Sequence, residues 1–466
     1  MTVPARGAAR PPERTDLGNA RRLVGRFGSD LRYVAEWGRW IAWDGRRWAH
    51  DVTGEVVRAA KAVADMMVEA ARVRLRAATT DAEAEAARAA LRFGLQAQAA
   101  PRLRAMVELA ATEAGMPVLV DQLDADPWLL VVGNGTLDLR TGALRASNRG
   151  DLLTRATDVV WDPDATCPRF RAFLERILPD DDIRAFVQRA AGYSLTALAV
   201  ENVLLVCLGR GANGKSTLME RLLRLFGGYG SSAPPRLLVV EKHLQHPTAI
   251  ADLHGRRLVV SQEVDEGHRL DEALVKQLTG GDRLTARRMR EDFWTFTPTH
   301  TLWLACNHKP VIRGTDEGVW RRIRLIPFAV TIPEEERDPH LGEKLDAELP
   351  GILRWAVEGC LAWQREGLAA PKAVTLATSD YRRESDIVGQ WIEERCATGP
   401  GHRARSTELY GDYLAWCSAN GIPSPLSLKA LAGKLGDRGF DRSENHRGQA
   451  QWTGLALCGG SEEGDP

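Results

Sequence analysis

GRGANGKST, residues 209–217, decides how the rest of the chain is read. It fits the pattern G-x-x-x-x-G-K-[ST] with Gly209, Gly214, Lys215 and Ser216 in register, a loop whose backbone N–H groups and lysine suit the phosphates of a nucleotide. Upstream, residues 203–208 (VLLVCL) form a short apolar run suited to a buried strand. Downstream, residues 218–225 have helical apolar spacing, so the loop sits in the strand–loop–helix context that the pattern requires. In that context Gly209, Gly211, Ala212, Asn213, Gly214, Lys215, Ser216 and Thr217 make a candidate ATP-binding loop. The positive end of the following helix would face the phosphates, Lys215 would reach the outer ones, and Ser216 would ligate Mg²⁺. A chance match followed by a helix is the plain alternative.

Composition bounds the remaining possibilities. At 466 residues the chain has room for about three domains and a large core. The 62 basic and 62 acidic residues cancel, so any contact with nucleic acid must come from local clusters. Seven scattered cysteines form no C-x-x-C pair, which argues against a disulfide framework or a zinc site. No signal peptide and no apolar run of bilayer length is apparent, so a cytoplasmic protein without membrane partners is expected. Only nine lysines occur, and Lys215, Lys276 and Lys309 fall in the central block.

Residues 1–16 are rich in Pro and Arg and read as a disordered tail. Residues 17–155 read as an α/β domain. Its features are a helix over 19–27, a β-hairpin turning at Asp44-Gly45, two alanine-rich helices over 55–78 and 81–115, and strands turning at Asn134-Gly135. Thr80 and Glu83 are spaced as a capping box for the second helix. The clustered tryptophans, among them Trp40, Trp43 and Trp48, suit a small domain's core better than a base-stacking platform. Residues 156–355 are expected to hold the ATPase domain, opening with a helical stretch over 170–193, and 356–400 a helical linker.

Beyond the loop, RLVVS (257–261) is a second strand that runs into Gln262, Glu263, Val264 and Asp265. An acid at a strand end beside a phosphate loop can orient Mg²⁺ or activate water. Glu263 is the first candidate and Asp265 the second, although turn-forming acids are common at such places. TLWLAC (301–306) delivers Asn307, whose amide could meet the terminal phosphate or the attacking water. In VWRRIRLIPF, Arg321, Arg322 and Arg324 precede or enter another strand, where an arginine finger or a surface ion pair is possible. Between these strands, KQLTGGDRLTARRMREDFW places Lys276, Arg283, Arg287, Arg288 and Arg290 around Gly280-Gly281. That suits a hairpin gripping a phosphate backbone without reading bases. A solvated charged face is the rival, and Glu291 and Asp292 lend it some support.

These stretches in this order resemble the superfamily 3 helicases, specifically the phage and plasmid primase-helicase family that shares its architecture with the poxvirus primase-helicase. GANGKST, RLVVSQEVDEG, LVKQLTGGDRLTARRM, LWLACNHKP and RGTDEGVWRRIRLIPF carry the resemblance. Looser similarity extends from DLGNARRL through DPWLLVVGNGTLDLRTG to YRRESDIVGQWIEERC. The resemblance implies an AAA+-like P-loop ATPase with a mostly parallel sheet. Lys215 and Ser216 then take the phosphate and metal roles, Glu263 the second-motif acid, Asn307 the sensor, and Arg322 the finger acting on a neighbour's ATP. Lys276 and the basic run after Gly281 would contact DNA. It further implies a homo-hexamer. Two departures stand out. Gln262 occupies a place where many relatives carry an acid, and only a short tail precedes the N-terminal region where larger members carry a primase domain. Priming by this chain is therefore not expected, and a separate primase is.

Residues 401–459 show the order of a winged helix: a helix from Ser406, a second capped by Ser427, and two strands around 445–448. Lys429, Lys434, Arg438, Arg442 and Arg447 would supply a basic face. A packing or oligomerising module has the same order. The expected function is ATP-driven DNA unwinding in the replication of a phage, plasmid or integrated element. An ATP-dependent initiator or loader without unwinding is the first rival. A small-molecule kinase is the second, disfavoured by the basic segment and the terminal module.

Overall fold

The computed structural model describes residues 13–234, 237–240, 247–262, 268–288, 292–312, 316–422, 424–444 and 448–458. Its central layer is a five-stranded sheet, four of whose strands are short runs rich in leucine and β-branched residues. In chain order the core strands are Leu204–Leu208, Gly230–Ser232, Leu258–Gln262, Thr301–Cys306 and Ile323–Pro327. Counted one to five, they lie in the order five, one, four, three, two, and every pairing is parallel. Parallel strands covered on both faces need apolar residues at every position, and the Thr301–Cys306 strand is buried throughout.

The register aligns the carboxyl ends of the strands. Leu208 lies opposite both Cys306 and Pro327, and Gln262 lies opposite Ala305. The residues that follow these strands therefore emerge along one edge of the sheet, where open α/β sheets bind ligands. Helix Lys215–Phe226 covers one face, burying Leu218, Met219, Leu222, Leu225 and Phe226.

Two helices expected to play separate roles are packed together. Asp181–Ser194 and Leu349–Glu366 approach so closely that a Cβ on Gly192 would sit 2.0 Å from the Cys360 backbone nitrogen, and one on Gly359 2.1 Å from the Gln188 carbonyl. Glycine on both sides permits that approach. The stretch after residue 355 is therefore not a linker: Ala356, Val357, Cys360 and Trp363 share the main core with Phe170, Phe186 and Leu222.

The N-terminal region holds helices Asp16–Phe27, Glu55–Ala77, Asp81–Ala97 and Ala100–Ala110, the break before the last falling beside Pro101. The Thr80–Glu83 capping box forms. Arg39–Trp43 pairs antiparallel with Trp48–His50 around the Asp44 turn, whose carboxylate accepts from the Arg46 and Arg47 backbone N–H groups. Trp48 is buried, and Trp40 and Trp43 pack half-buried against the domain's apolar clusters, as core rather than as a platform. The sheet of Leu129–Val132, Gly135–Asp138 and Ala143–Arg145 sends Leu130, Val132 and Leu137 into the main core. By packing, the domain boundary lies ahead of this sheet rather than near residue 155.

Arg257, at the head of the third core strand, fixes that junction. It is 2% exposed, donates to the Leu195 and Leu129 carbonyls at 2.7 Å each, and lies 4.4 Å over the Tyr229 ring. A guanidinium this deep is tolerable only because neutral carbonyls and an aromatic face replace its hydration.

The C-terminal unit begins earlier than residue 401. Strand Cys396–Arg405 pairs with Ala450–Leu457, which also pairs with Asp441–Glu444. Helices Ile387–Arg395, Ser406–Ala419 and Leu428–Gly436 pack on this sheet through Trp391, Tyr413, Trp416, Leu431 and Leu435. Ser427 caps the last helix as expected, and Arg447 lies outside the described residues.

Candidate nucleotide site

The glycine-rich loop leaves the first core strand and enters helix Lys215–Phe226 through two backbone conformations that side chains resist. Gly211 has φ +100° and Gly214 +78°. At Gly214 a side chain would also meet Ile177 at 2.5 Å and Phe173 at 3.0 Å, so both conformation and packing demand glycine. A Cβ on Gly209 would fall 2.2 Å from Asn213 Nδ2 and 2.4 Å from the Phe328 carbonyl. Ala212 sits at φ +46°, and its carbonyl accepts from the Ile332 N–H at 2.7 Å, which ties the loop to the chain beyond the fifth strand. The backbone is thus shaped before any ligand arrives.

Lys215 is the focus of the loop. It is 4% exposed, and its ammonium donates to the Gly209 carbonyl at 2.5 Å, Asn213 Oδ1 at 3.0 Å and Asn307 Oδ1 at 3.2 Å. All three acceptors are neutral, and burial holds its pKa below the usual lysine value. A buried cation with dipoles but no described counter-ion is costly, and an arriving phosphate would relieve that cost. The next residue, Ser216, is exposed on the helix's first turn, and Thr217 is half-buried. The structure thus brings together the loop and Asn307, which the sequence placed 92 residues apart.

Glu263 and Asp265 lie outside the described residues, as do Arg290 and Glu291. Gln262 is exposed at the end of the third core strand, on the edge from which Gly209 and Asn307 also emerge.

Comparison with known proteins bears on this arrangement. A family model described as D5 N terminal like matches residues 20–179, and a second, described as a family of unknown function (DUF5906), matches residues 207–322. The chain is 29% identical over 332 residues to "Putative helicase L207/L206" of Acanthamoeba polyphaga mimivirus, a match covering 65% of this chain and 34% of that protein. It is 26% identical over 438 residues to "Putative helicase 022R" of Frog virus 3, covering 74% and 44%. By these matches the chain is similar to the phage and viral primase-helicases.

It also resembles "Putative primase C962R" of African swine fever virus, at 24% identity over 65% of this chain and 34% of that protein. The chain spans about a third to under half the length of these curated relatives. The apo structure of the NrS-1 C-terminal region aligns with a TM-score of 0.49 at 9% identity, covering 95% of this chain and 100% of that one.

The arginines near the fifth core strand divide sharply. Arg322 is 9% exposed, its Nε donating to Thr279 Oγ1 at 3.1 Å and its NH1 to the Gly318 carbonyl at 2.6 Å. Its neighbour Arg321 is exposed. Both precede the fifth core strand, and the Arg322 carbonyl accepts from the N–H of Leu204, the first residue of the strand that leads to the loop. Five residues of strand, about 17 Å, separate this end from the chain's own phosphate loop. Sequence marked Arg322 as the reaching arginine, whereas the exposed side chain is Arg321.

The basic segment also differs from its expected form. Gly280-Gly281 ends helix Glu272–Thr279, and the hairpin lies beyond it, with Leu284–Ala286 pairing to Trp294–Phe296. Lys276 is on the helix and ion-pairs with Asp316. Arg283 is exposed ahead of the hairpin, while Arg287 and Arg288 follow its first strand. The Arg287 guanidinium lies 4.8 Å over the exposed ring of Phe293, a residue that sequence reading passed over.

Proposed function

We propose that the chain is an ATP-driven DNA helicase motor of a replicating phage, plasmid or integrated element, working as a homo-hexamer beside a separate primase. The observation that carries this reading is the Lys215 ammonium, buried in a glycine-shaped loop and bonded to Asn307 from the fourth core strand. The oxygens now on Lys215 occupy the positions that phosphate oxygens would take. Gly209 and Gly214 let the loop pack against Phe328, Ile177 and Phe173, which holds its backbone N–H groups in place for a phosphate. Ser216, exposed one residue on, and Glu263, next after Gln262, would hold Mg²⁺, which supplies positive charge to the phosphate oxygens. Asn307, held by Lys215, would sense the terminal phosphate through the same contact.

The 17 Å between Arg321–Arg322 and the chain's own loop supports a finger that acts on a neighbouring subunit. A finger of this kind contributes charge to the transition state far more than to bound ATP. The C-terminal unit is read as a winged helix and the Leu284–Phe296 hairpin as a DNA contact, with Arg283, Arg287 and Arg288 in line and Lys276 behind them.

The deciding experiment measures phosphate release with and without single-stranded DNA, together with strand separation of a forked duplex. DNA-stimulated hydrolysis with unwinding is expected. DNA-stimulated hydrolysis without unwinding would replace the motor by a loader or initiator, and hydrolysis indifferent to DNA would overturn both.

A further inference from the structure

The basic hairpin does not stand alone on the surface. Its second strand carries Trp294 and Phe296, whose rings lie 4.8 and 5.2 Å from the His254 ring. The His254 carbonyl accepts from Arg155 NH2 at 2.6 Å, and Arg155 begins the run that connects the N-terminal sheet to the core. Arg155 and Arg256 both donate to the Gly228 carbonyl, at 3.2 and 2.7 Å. Arg47, from the N-terminal hairpin, reaches the same glycine: a Cβ there would sit 3.6 Å from its NH1. Three arginines from three separated segments therefore meet beneath one point.

Most of the bonds made by these three arginines go to carbonyls, which satisfy the donors without cancelling the charge. Asp44, Asp124 and Asp252 do lie against Arg47, Arg155 and Arg256 respectively. Two further arginines, without such a neighbour among the described residues, stand on the two hairpins: Arg39, exposed at the start of the N-terminal hairpin two residues before Ile41, which pairs with His50, and Arg288, exposed just after strand Leu284–Ala286 of the core hairpin. Both lower the pKa of His50, together with burial, Arg155 and Arg47. Burial first, and Arg256 second, pushes the Arg155 guanidinium down to about 10. His50, exposed at the same place, stacks against Trp37 at 5.1 Å.

We propose that the N-terminal hairpin and the core hairpin form one continuous phosphate-binding surface for single-stranded DNA, with Arg39 and Arg288 as its outward contacts and Arg47, Arg155 and Arg256 as fixed charge beneath. This rests on the reading of the chain as a DNA-acting motor. A strand passing the core hairpin would continue across the domain junction toward Arg39, and the Trp37–His50 edge offers a base a place to stack.

The test is a salt titration of the full chain binding a fluorescent oligothymidylate, read by anisotropy. Each Arg39 variant is first checked for a wild-type melting temperature, which its exposure predicts. Arg39→Ala should weaken binding three- to tenfold at low salt and shallow the log–log salt slope by about 0.7, the value for one lost phosphate contact on a single strand. Arg39→Glu should weaken it further, and Arg39→Lys should keep the slope. Wild-type affinity and slope in Arg39→Glu, with binding lost in Arg287→Ala, would overturn the shared surface and leave the hairpin reading intact. Wild-type binding in Arg39→Glu, Arg287→Ala and Arg288→Ala alike would overturn both.

Discussion

The Lys215 ammonium lies 3.2 Å from the amide oxygen of Asn307, so a loop between the first core strand and its helix is joined to the end of the fourth strand by one hydrogen bond. Two consequences can be measured. Lys215→Ala should reduce ATP hydrolysis by about 10²–10³-fold, the scale found when a preorganised donor to developing charge is removed. Its melting temperature should hold or rise, because a buried cation without a described counter-ion is lost. Asn307→Asp should instead place a carboxylate on Lys215 and compete with phosphate, raising the KM for ATP about tenfold or more. An Asn307→Asp variant with wild-type KM would show that the contact is broken when ATP binds.

The two arginines before the fifth core strand should separate by phenotype. Arg322→Ala removes two buried hydrogen bonds and should cost about 1–3 kcal/mol of stability. Arg321→Ala should melt like wild type but hydrolyse ATP poorly, and mixing it with Lys215→Ala should restore part of the activity at mixed interfaces. If mass measurement finds mixed assemblies and the mixture stays inactive, a finger acting between subunits is ruled out for Arg321.

Lys276 and Arg287 should differ in their effect on DNA. Arg287 stands at the hairpin over Phe293, whereas Lys276 is already paired with Asp316. Arg287→Ala should shallow the salt slope of DNA binding by about 0.7, and Lys276→Ala by less. A wild-type slope in Arg287→Ala would return the hairpin arginines to the role of a solvated face.

Two histidines should make the fold acid-sensitive. Burial pushes His300 down to about 4, and burial with Arg155 and Arg288 pushes His254 down to about 4 as well. Both are held neutral in the fold, so their contribution is complete above the unfolded value of about 6.5 and is lost as pH falls from there toward 4. Neither ring nitrogen of His300 has a partner among the described residues. His300→Leu should therefore flatten the dependence of melting temperature on pH below 6.5. A variant that keeps the wild-type slope would place the acid sensitivity elsewhere.

Arg257→Ala should cost about 2–5 kcal/mol, because it strands the Leu129 and Leu195 carbonyls and empties the space over Tyr229. A shift of less than a degree in melting temperature would mean that water replaces the guanidinium without loss.

What the sequence made legible was local. GRGANGKST carried its own glycine requirement, Thr80 and Glu83 sat at capping distance, and Asn134-Gly135 announced the turn between two strands. Contacts between distant segments were not legible. A helical stretch was expected from residue 356, but nothing local told that helix Leu349–Glu366 would pack against Asp181–Ser194, although Gly192 and Gly359 inside helices were a usable sign of a close crossing. Strand Cys396–Arg405 crosses the expected boundary at residue 401 and contains Gly399, Pro400 and Gly401, residues that usually interrupt strands. The strand accommodates them with a register shift between Thr398 and Arg403. At Arg321 and Arg322 the sequence shows two adjacent arginines, and only packing decides which one faces water.

The third core strand is five residues long and is gripped at both ends. At its head Arg257 is bonded to the N-terminal sheet, and its tail runs out at Gln262 on the ligand edge. A hydrogen-bonded strand about 17 Å long hardly stretches. It acts as a pushrod: a slide of the N-terminal sheet along this axis would be delivered undiminished to the edge where we propose nucleotide chemistry, and a rearrangement at that edge would be felt by the N-terminal sheet.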